Sequence, residues 1–277
     1  MERLLYLGCM VYNRFPDYEI AAKAVLSRLG IKLRDFHEFS CCSSTFMPSV
    51  GDTWIYLASY NLALAERREM DIVTLCGTCT GVFKRALLML RDEALRERVN
   101  TRLAELDLSV SGRAGVSHLL EVLTQQRERV EREIRSPLNL KVALQHPCNV
   151  FRPREIARFD DPVRPSAMRE MVELTGAEAV RYPLEYECCG SALLITSESM
   201  GISSGADKLL SARKAGAQAM VVACGNCAYL FDRHRDRIAA VRREAQLPVL
   251  FLPQLLGLAF GMHGRELGLE IRGVELG

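Results

Sequence analysis

The chain has 277 residues, of which 49% are apolar and 7% aromatic, and its formal net charge is +2. Charge so close to balance, with no basic stripe that carries aromatic residues, gives no indication of nucleic-acid binding. The sequence shows no export signal and no uncharged apolar run of about 18 or more residues, so we expect a cytoplasmic protein without a membrane span.

Apolar strands and amphipathic helices alternate through the first part of the chain. Strands are predicted over residues 4–8, 31–36 and 71–75. Helices are predicted over residues 16–29, 53–69 and 76–106. Residues 91–135 are rich in Arg and Glu, which favours a solvated helical surface and a linker.

The second part repeats this scheme. Strands are predicted over residues 140–144, 178–182, 220–223 and 248–252, and helices over 166–175, 200–215, 228–245 and 253–260. Strands that alternate with helices predict parallel sheets covered on both faces. We therefore expect an α/β fold of two tandem Rossmann-like domains, each a small parallel sheet flanked by helices, over residues 1–136 and 137–277.

All ten cysteines belong to one series that occurs twice. Each half has a single cysteine, then a Cys-Cys pair, then a Cys-x-x-Cys motif, separated by 31, 33 and 2 residues in the first half and by 39, 34 and 2 in the second. This pattern predicts a tandem duplication with a small insertion after Cys148. The series consists of Cys9, Cys41, Cys42, Cys76 and Cys79, and then of Cys148, Cys188, Cys189, Cys224 and Cys227.

Thiols in this matched order indicate a bound metal or a redox centre. Zinc needs four ligands, so five thiols in each half leave one unused. A thioredoxin-type dithiol would use the Cys-x-x-Cys motif alone. An iron–sulfur centre accounts for more of the pattern because thiolates are its usual ligands, and five exceed the four of an ordinary cubane cluster. Zinc in one half with a cluster in the other remains open.

With these motifs the chain resembles the tandem cysteine-rich CCG domains of the heterodisulfide reductase B subunit. The resemblance extends along nearly the whole chain. Besides the cysteine series it includes YLGC at 6–9, NRFP at 13–16, FDDP at 159–162 and LPQLLGL at 252–258.

The resemblance implies an oxidoreductase that acts on sulfur groups as part of a complex. Each five-cysteine set would bind one noncubane [4Fe-4S] cluster, so all ten cysteines are implied ligands. The halves would be related by a pseudo-twofold axis, and the clusters would face a shared cavity where a disulfide or thiol substrate is reduced or formed. Electrons would pass through a small ferredoxin-like C subunit to a flavoprotein A subunit.

Three departures from the family pattern lie beside the implied ligands: SST at 43–45, SALL at 191–194, and Asn149 after Cys148. They bear on the substrate pocket and leave open the related subunits of sulfur-oxidising systems, which are thought to act on lipoate-bound sulfur. Two other functions also stay open. One is a CCG-domain electron-transfer subunit of glycolate or lactate oxidation or of fumarate reduction, and the other is a zinc-stabilised assembly subunit.

His146, two residues before Cys148, is the predicted catalytic residue. As a ligand or proton donor it would help to protonate a leaving thiolate, because histidine titrates near neutral pH. The alternative is a strand-end histidine bonded to backbone. The other four histidines have no metal-ligand spacing, and we expect them at the surface or at helix caps.

Overall fold

The computed structural model describes residues 2–44 and 51–274. Its first half is built on a sheet of four parallel strands in the order β2-β1-β3-β4. The central strand β1 is buried, and its Leu5 pairs with Asp35 on one side and Val73 on the other. The strands are β1 (Glu2–Tyr6), β2 (Lys32–Asp35), β3 (Ile72–Thr74) and β4 (Val116–His118).

The second half is built on another four-stranded parallel sheet, in the order β6-β5-β7-β8. Its strands are β5 (Lys141–Gln145), β6 (Glu178–Ala179), β7 (Ala219–Val222) and β8 (Val249–Phe251). The strand order is the same as in the first sheet. In each sheet, the strand that comes first in the sequence lies between the second and the third. The predicted α/β fold of two similar parallel-sheet units is therefore confirmed.

Helices connect the parallel strands and flank both sheets. Those of the first half are α1 (Gly8–Arg14), α2 (Pro16–Arg28), α3 (Thr53–Arg67), α4 (Gly77–Met89), α5 (Glu93–Leu103), α6 (Leu119–Gln125) and α7 (Arg127–Glu133). Those of the second half are α8 (Arg154–Ala157), α9 (Ala167–Leu174), α10 (Glu198–Lys214), α11 (Gly225–Ala228), α12 (Arg235–Val241), α13 (Leu252–Ala259) and α14 (Leu269–Arg272).

Three local predictions were wrong. The helix expected over 76–106 is two helices, because the Asp92 side chain accepts a hydrogen bond from Leu95 N and begins α5 as a new helix. The helix expected over 228–245 is interrupted by a π-helical turn, Tyr229–Arg233. The Arg- and Glu-rich stretch 91–135 contains the strand β4, which pairs with β3 and was not predicted.

The two halves pack directly on one another. The rings of Tyr18 in α2 and Phe251 in β8 stack with their centroids 4.0 Å apart. Beside them, Gln254 donates a hydrogen bond to the buried carboxylate of Asp17 at 3.0 Å. Because these contacts join residues from both halves through buried groups, the halves share one core. No helix in the described ranges 2–44 and 51–274 is long and apolar enough to cross a membrane.

Candidate functional site

The single cysteine and the Cys-x-x-Cys motif of each half lie where the backbone leaves the carboxyl ends of the two central strands. Cys76 and Cys224 directly precede α4 and α11, as predicted for residues that follow β3 and β7. The Cys-Cys pairs lie in loops, also as predicted. Cys9, expected at a strand end, lies inside α1, because β1 already ends at Tyr6 and Gly8 begins the helix with a φ of 66°. Cys148 begins a 3-10 turn after β5.

All ten thiols are free, and each lies next to another in a single row. In the first half, the Sγ atoms of Cys42 and Cys79 lie 3.3 Å apart. Cys9 interacts with Cys41, Cys41 with Cys42, and Cys79 with Cys76 closely enough for each to shift the pKa of the other. The second half repeats this order through Cys148, Cys188, Cys189, Cys227 and Cys224. The ends of the row are the more exposed, and its centre is buried.

The two half-rows meet at equivalent residues. Cys76 Sγ lies 3.8 Å from Cys224 Sγ, and the neighbouring Thr78 Oγ1 accepts a hydrogen bond from Asn226 Nδ2 at 3.0 Å. Each pair joins the same position of the two repeats, which is what a local twofold axis between the halves produces. This arrangement supports the pseudo-twofold relation implied by the family resemblance.

Packing around this axis is reciprocal. A Cβ added to Gly77 would lie 3.3 Å from Pro147 Cβ and 3.3 Å from Val150 Cγ2. A Cβ added to Gly225 would lie 3.1 Å from Val11 Cγ2. Each Cys-x-x-Cys motif therefore lies against the segment of the other half that carries the first cysteine. Glycine permits this close approach because it has no side chain.

At the single cysteine and the Cys-Cys pair, the thiols perturb one another's pKa values in the same direction in both halves. Hydrogen bonds from Cys42 and Cys9 hold the pKa of Cys41 far below its usual range. Hydrogen bonds from Cys148 and Cys189 do the same to the pKa of Cys188. The pKa values of Cys9 and Cys148 are raised, chiefly by those same two bonds and then by burial. The first thiolate of each Cys-Cys pair is thus stabilised, and the thiolate is the form that binds metals.

Backbone donors also point at the pair sulfurs. Ser43 N donates to Cys41 Sγ at 3.4 Å, Gly190 N to Cys188 Sγ at 3.5 Å, and Ser191 N to Cys189 Sγ at 3.4 Å. Such N–H groups, with the start of α4 at Cys76, can offset negative charge on a sulfur-bound centre. This soft, thiolate-rich donor set fits an iron–sulfur cluster.

His146 is buried, and its partner is a carboxylate rather than the backbone. Its Nε2 lies 3.3 Å from Glu185 Oε1, and its ring stacks on Tyr186. Burial raises the pKa of Glu185, but hydrogen bonds from His146 and Arg169 and the charge of Arg169 outweigh this and lower it to about 2. The pKa of His146 is lowered because the ring is buried. Since the ionised Glu185 accepts the Nε2 proton, Nδ1, which has no partner, carries the lone pair of the neutral ring.

Lys208 is a buried residue at the site that was not predicted from the sequence. Its side chain is 1% exposed, and Nζ donates to the carbonyl oxygens of Glu187 at 2.5 Å and Glu185 at 3.4 Å. It shares the buried stripe of α10 with Gly201, Gly205 and Ala212. A lysine on an otherwise small and apolar helix face was the available signal.

One cleft adjoins the thiols, and a second is lined by residues that neighbour cysteines in the sequence. The first, of about 440 Å³, opens beside Cys9 and Cys41 and is also lined by Tyr12, His37 and Asp35. The second, of about 150 Å³, lies between the halves and is lined by Ser44, Thr78, Asn149, Arg152 and others. Ser44 and Asn149 are two of the departures from the family pattern, and Thr45 lies outside the described residues. These departures therefore line the cleft between the halves.

Two matches to the cysteine-rich domain family called CCG cover residues 4–84 and 142–232. The chain is 35% identical to the B subunit of ferredoxin:CoB-CoM heterodisulfide reductase from Methanosarcina mazei, over 98% of this chain and 93% of that protein. It is 31% identical to the 8-methylmenaquinol:fumarate reductase membrane anchor subunit of Wolinella succinogenes, over 97% and 95%.

The fold also resembles a solved structure. A crystal structure of a hypothetical protein from Helicobacter pylori superposes with a TM-score of 0.78 at 17% sequence identity, over 97% of this chain and 51% of that one. The chain thus spans about half the length of this structural relative. At such low identity the similarity concerns the fold.

Proposed function

Because the chain belongs to the family of the heterodisulfide reductase B subunit and its relatives, which carry tandem CCG domains, we propose that it is the iron–sulfur catalytic subunit of a heterodisulfide reductase-like complex. The reaction is reduction or formation of a disulfide on a sulfur substrate. The observation that carries the proposal is the row of ten free thiols, five from each half, that meets at a local twofold axis. The domain division at 136/137 and a cytoplasmic location belong to the same proposal.

The ten cysteines are the proposed ligands of two noncubane [4Fe-4S] clusters, one for each half. When bound, the clusters would supply one-electron transfer and iron sites for substrate sulfur. A row of five neighbouring sulfurs favours a cluster of several irons, whose ligands bind different metal atoms, over a single zinc whose four ligands surround one point. The proposed partners are the small ferredoxin-like subunit and the flavoprotein subunit, which exchange the electrons.

His146 is the proposed proton carrier of the reaction. With its Nε2 proton held by Glu185, Nδ1 can take the proton of a substrate thiol when a disulfide forms and return it to a thiolate when the disulfide is reduced. Glu185 orients the ring and stabilises the imidazolium, in the manner of a catalytic triad. The cleft beside Cys9 and the one between the halves are the candidate entrances for the sulfur substrate, for which lipoate-bound sulfur is one candidate.

The metal content of the chain, purified without oxygen, tests the proposal. We expect about eight irons with matching acid-labile sulfide per chain, because two four-iron clusters require them. Zinc without iron would overturn the proposal and make the chain a zinc-stabilised assembly subunit. About four irons and one zinc would restrict the redox site to one half.

Replacement of His146 tests its role as proton carrier. We expect His146→Asn to keep its iron and to lose about 100-fold or more of the disulfide-reducing rate, as measured with a reduced viologen dye, because proton transfer in the transition state is slowed. His263→Asn is the matched control. His263 is exposed, precedes the 3-10 turn Gly264–Leu267 and is far from His146 in the sequence. Activity unchanged in His146→Asn would remove the residue from the mechanism.

A second function is favoured by the match to the fumarate reductase subunit. In that case the chain would pass electrons to or from a flavoprotein that reduces fumarate or oxidises glycolate or lactate. Purification of the native complex distinguishes the two. A flavin dehydrogenase partner with fumarate or hydroxyacid activity, and no reaction with disulfides, would support the second function over the first.

A further inference from the structure

The two halves differ at one buried position next to the thiols. Lys208 in α10 and Asn61 in α3 are each the twentieth residue after the first cysteine of the Cys-Cys pair of their half. Both lie on the helix that precedes the strand leading to the Cys-x-x-Cys motif. The duplication thus places a lysine in one half where the other has a neutral amide.

Both side chains hold the residue before the Cys-Cys pair. Asn61 Oδ1 accepts from Ser40 N at 2.8 Å, and its Nδ2 donates to Leu57 O at 2.9 Å. Lys208 Nζ donates to Glu187 O at 2.5 Å. Ser40 and Glu187 directly precede Cys41 and Cys188. Asn61 and Lys208 therefore both bind the backbone before the Cys-Cys pair, and they differ in charge.

The charge of Lys208 is poorly screened. The side chain is 1% exposed, its other contacts are a carbonyl and the ring of Tyr182, and within the described residues no carboxylate lies at ion-pair distance from Nζ. The nearby Glu185 is already neutralised by Arg169 at 2.7 Å. Burial lowers the pKa of Lys208, whereas the charges of the nearby Cys189, Cys227, Cys188 and Glu187 raise it. A buried ammonium bound to the carbonyl of Glu187, directly before Cys188, favours added negative charge at the cysteines that follow.

We propose that Lys208 makes the iron–sulfur site of the second half the first of the two to accept an electron. This inference rests on the proposed function. The step is the arrival of one electron from a one-electron donor at the sulfur-bound centre, with no bond broken, and the fixed charge of Lys208 offsets the new negative charge without uptake of a proton. Asn61 provides no such charge, so the first half is reduced at a lower potential.

The test is a potentiometric titration of the anaerobically purified chain with dithionite, followed by electron paramagnetic resonance and visible absorbance. In Lys208→Gln we expect the fraction of the first-reduced centre at a fixed ambient potential to fall about tenfold or more, because a poorly screened charge has been removed. Lys208→Arg, which keeps the charge, should retain the wild-type potential. Lys214→Gln, on the exposed end of the same helix, is the matched control and should change nothing.

Iron is measured on every variant before the titration, which separates the two proposals. Wild-type protein without iron would overturn the proposed function and this inference with it. Iron-loaded Lys208→Gln with unchanged potentials would overturn this inference alone. If Lys208→Gln fails to hold iron, two further variants test the inference. One is Asn61→Lys, and the other combines Asn61→Lys with Lys208→Asn. We expect Asn61→Lys to raise the potential of the first half and the exchange to reverse the order of reduction, and an unchanged order in the exchanged protein would overturn the inference.

Discussion

Replacement of Cys189 by alanine is expected to remove one of the two metal centres. Cys189 is 2% exposed and lies between Cys188 and Cys227 in the row, so its loss breaks the sulfur set of the second half at an inner position. Iron should fall from about eight to about four per chain, because one four-iron cluster is lost. Disulfide-reducing activity should fall to background, because the proposed reaction requires both metal centres and only one remains.

The variant should still fold. The thiol is a small group, and its truncation removes about 1 kcal/mol or somewhat more of packing free energy, which the shared core of the two halves can lose. Circular dichroism checks this. Cys42→Ala is the matched variant of the first half, because Cys42 occupies the same place beside Cys79 and is equally buried. It should lose a similar amount of iron, with the spectrum of the other centre retained.

Ser191→Ala is the control for a local disturbance. The Ser191 hydroxyl accepts a hydrogen bond from Cys189 Sγ at 3.3 Å, but a hydroxyl is not a soft iron ligand. Iron should therefore stay at the wild-type level in this variant. Full iron in Cys189→Ala would show that this cysteine is not a ligand, and the assignment of the second five-cysteine set would have to be abandoned.

Much of the fold was predictable because most of the strands are short, apolar and followed by helices. The cysteine series further predicted the duplication, and the identical strand order of the two sheets confirms it. The strand β4 was missed for a local reason. It is three residues long and contains Ser117 and His118, inside a stretch whose composition is typical of a solvated helix. Its pairing with β3 is a long-range contact that periodicity cannot indicate.

The sequence predicted which cysteines form the site, but it did not predict which residues contact one another there. The contact of Cys76 with Cys224 and that of His146 with Glu185 join residues far apart in the chain. Helical periodicity placed Lys208 in α10, but the carbonyl groups it faces come from the loop before Cys188. These features depend on how loops pack against other elements, and a single sequence gives no direct measure of that packing.

Replacement of Arg272 by methionine is expected to destabilise the chain strongly. Arg272 Nε donates to Asp17 Oδ2 at 2.6 Å, and Nη1 donates to Asp232 Oδ1 at 3.0 Å. The side chains of Arg272 and Asp17 are 2% and 0% exposed. The guanidinium also lies over the rings of Phe15 and Phe251, with its carbon 5.9 and 4.8 Å from their centroids. This cluster joins the last described helix, α14, to α2 of the first half.

The expected loss is about 3–5 kcal/mol of the free energy of unfolding, because removal of one partner leaves the Asp17 carboxylate buried without its cation. Urea titration of the variant measures it. Arg102→Met is the control for loss of an exposed ion pair, since Arg102 and Glu105 are 71% and 68% exposed. That change should cost less than about 1 kcal/mol.

A double variant separates the burial of an unpaired charge from the loss of packing. Asp17→Leu combined with Arg272→Met removes both charged groups, so most of the penalty for the orphaned carboxylate should disappear and the double variant should be more stable than Arg272→Met alone. If the double variant is the less stable of the two, the charge pairing of Arg272 with Asp17 is secondary. The stability lost in Arg272→Met would then come from the contacts of Arg272 with the rings of Phe15 and Phe251 and with the Val249 carbonyl.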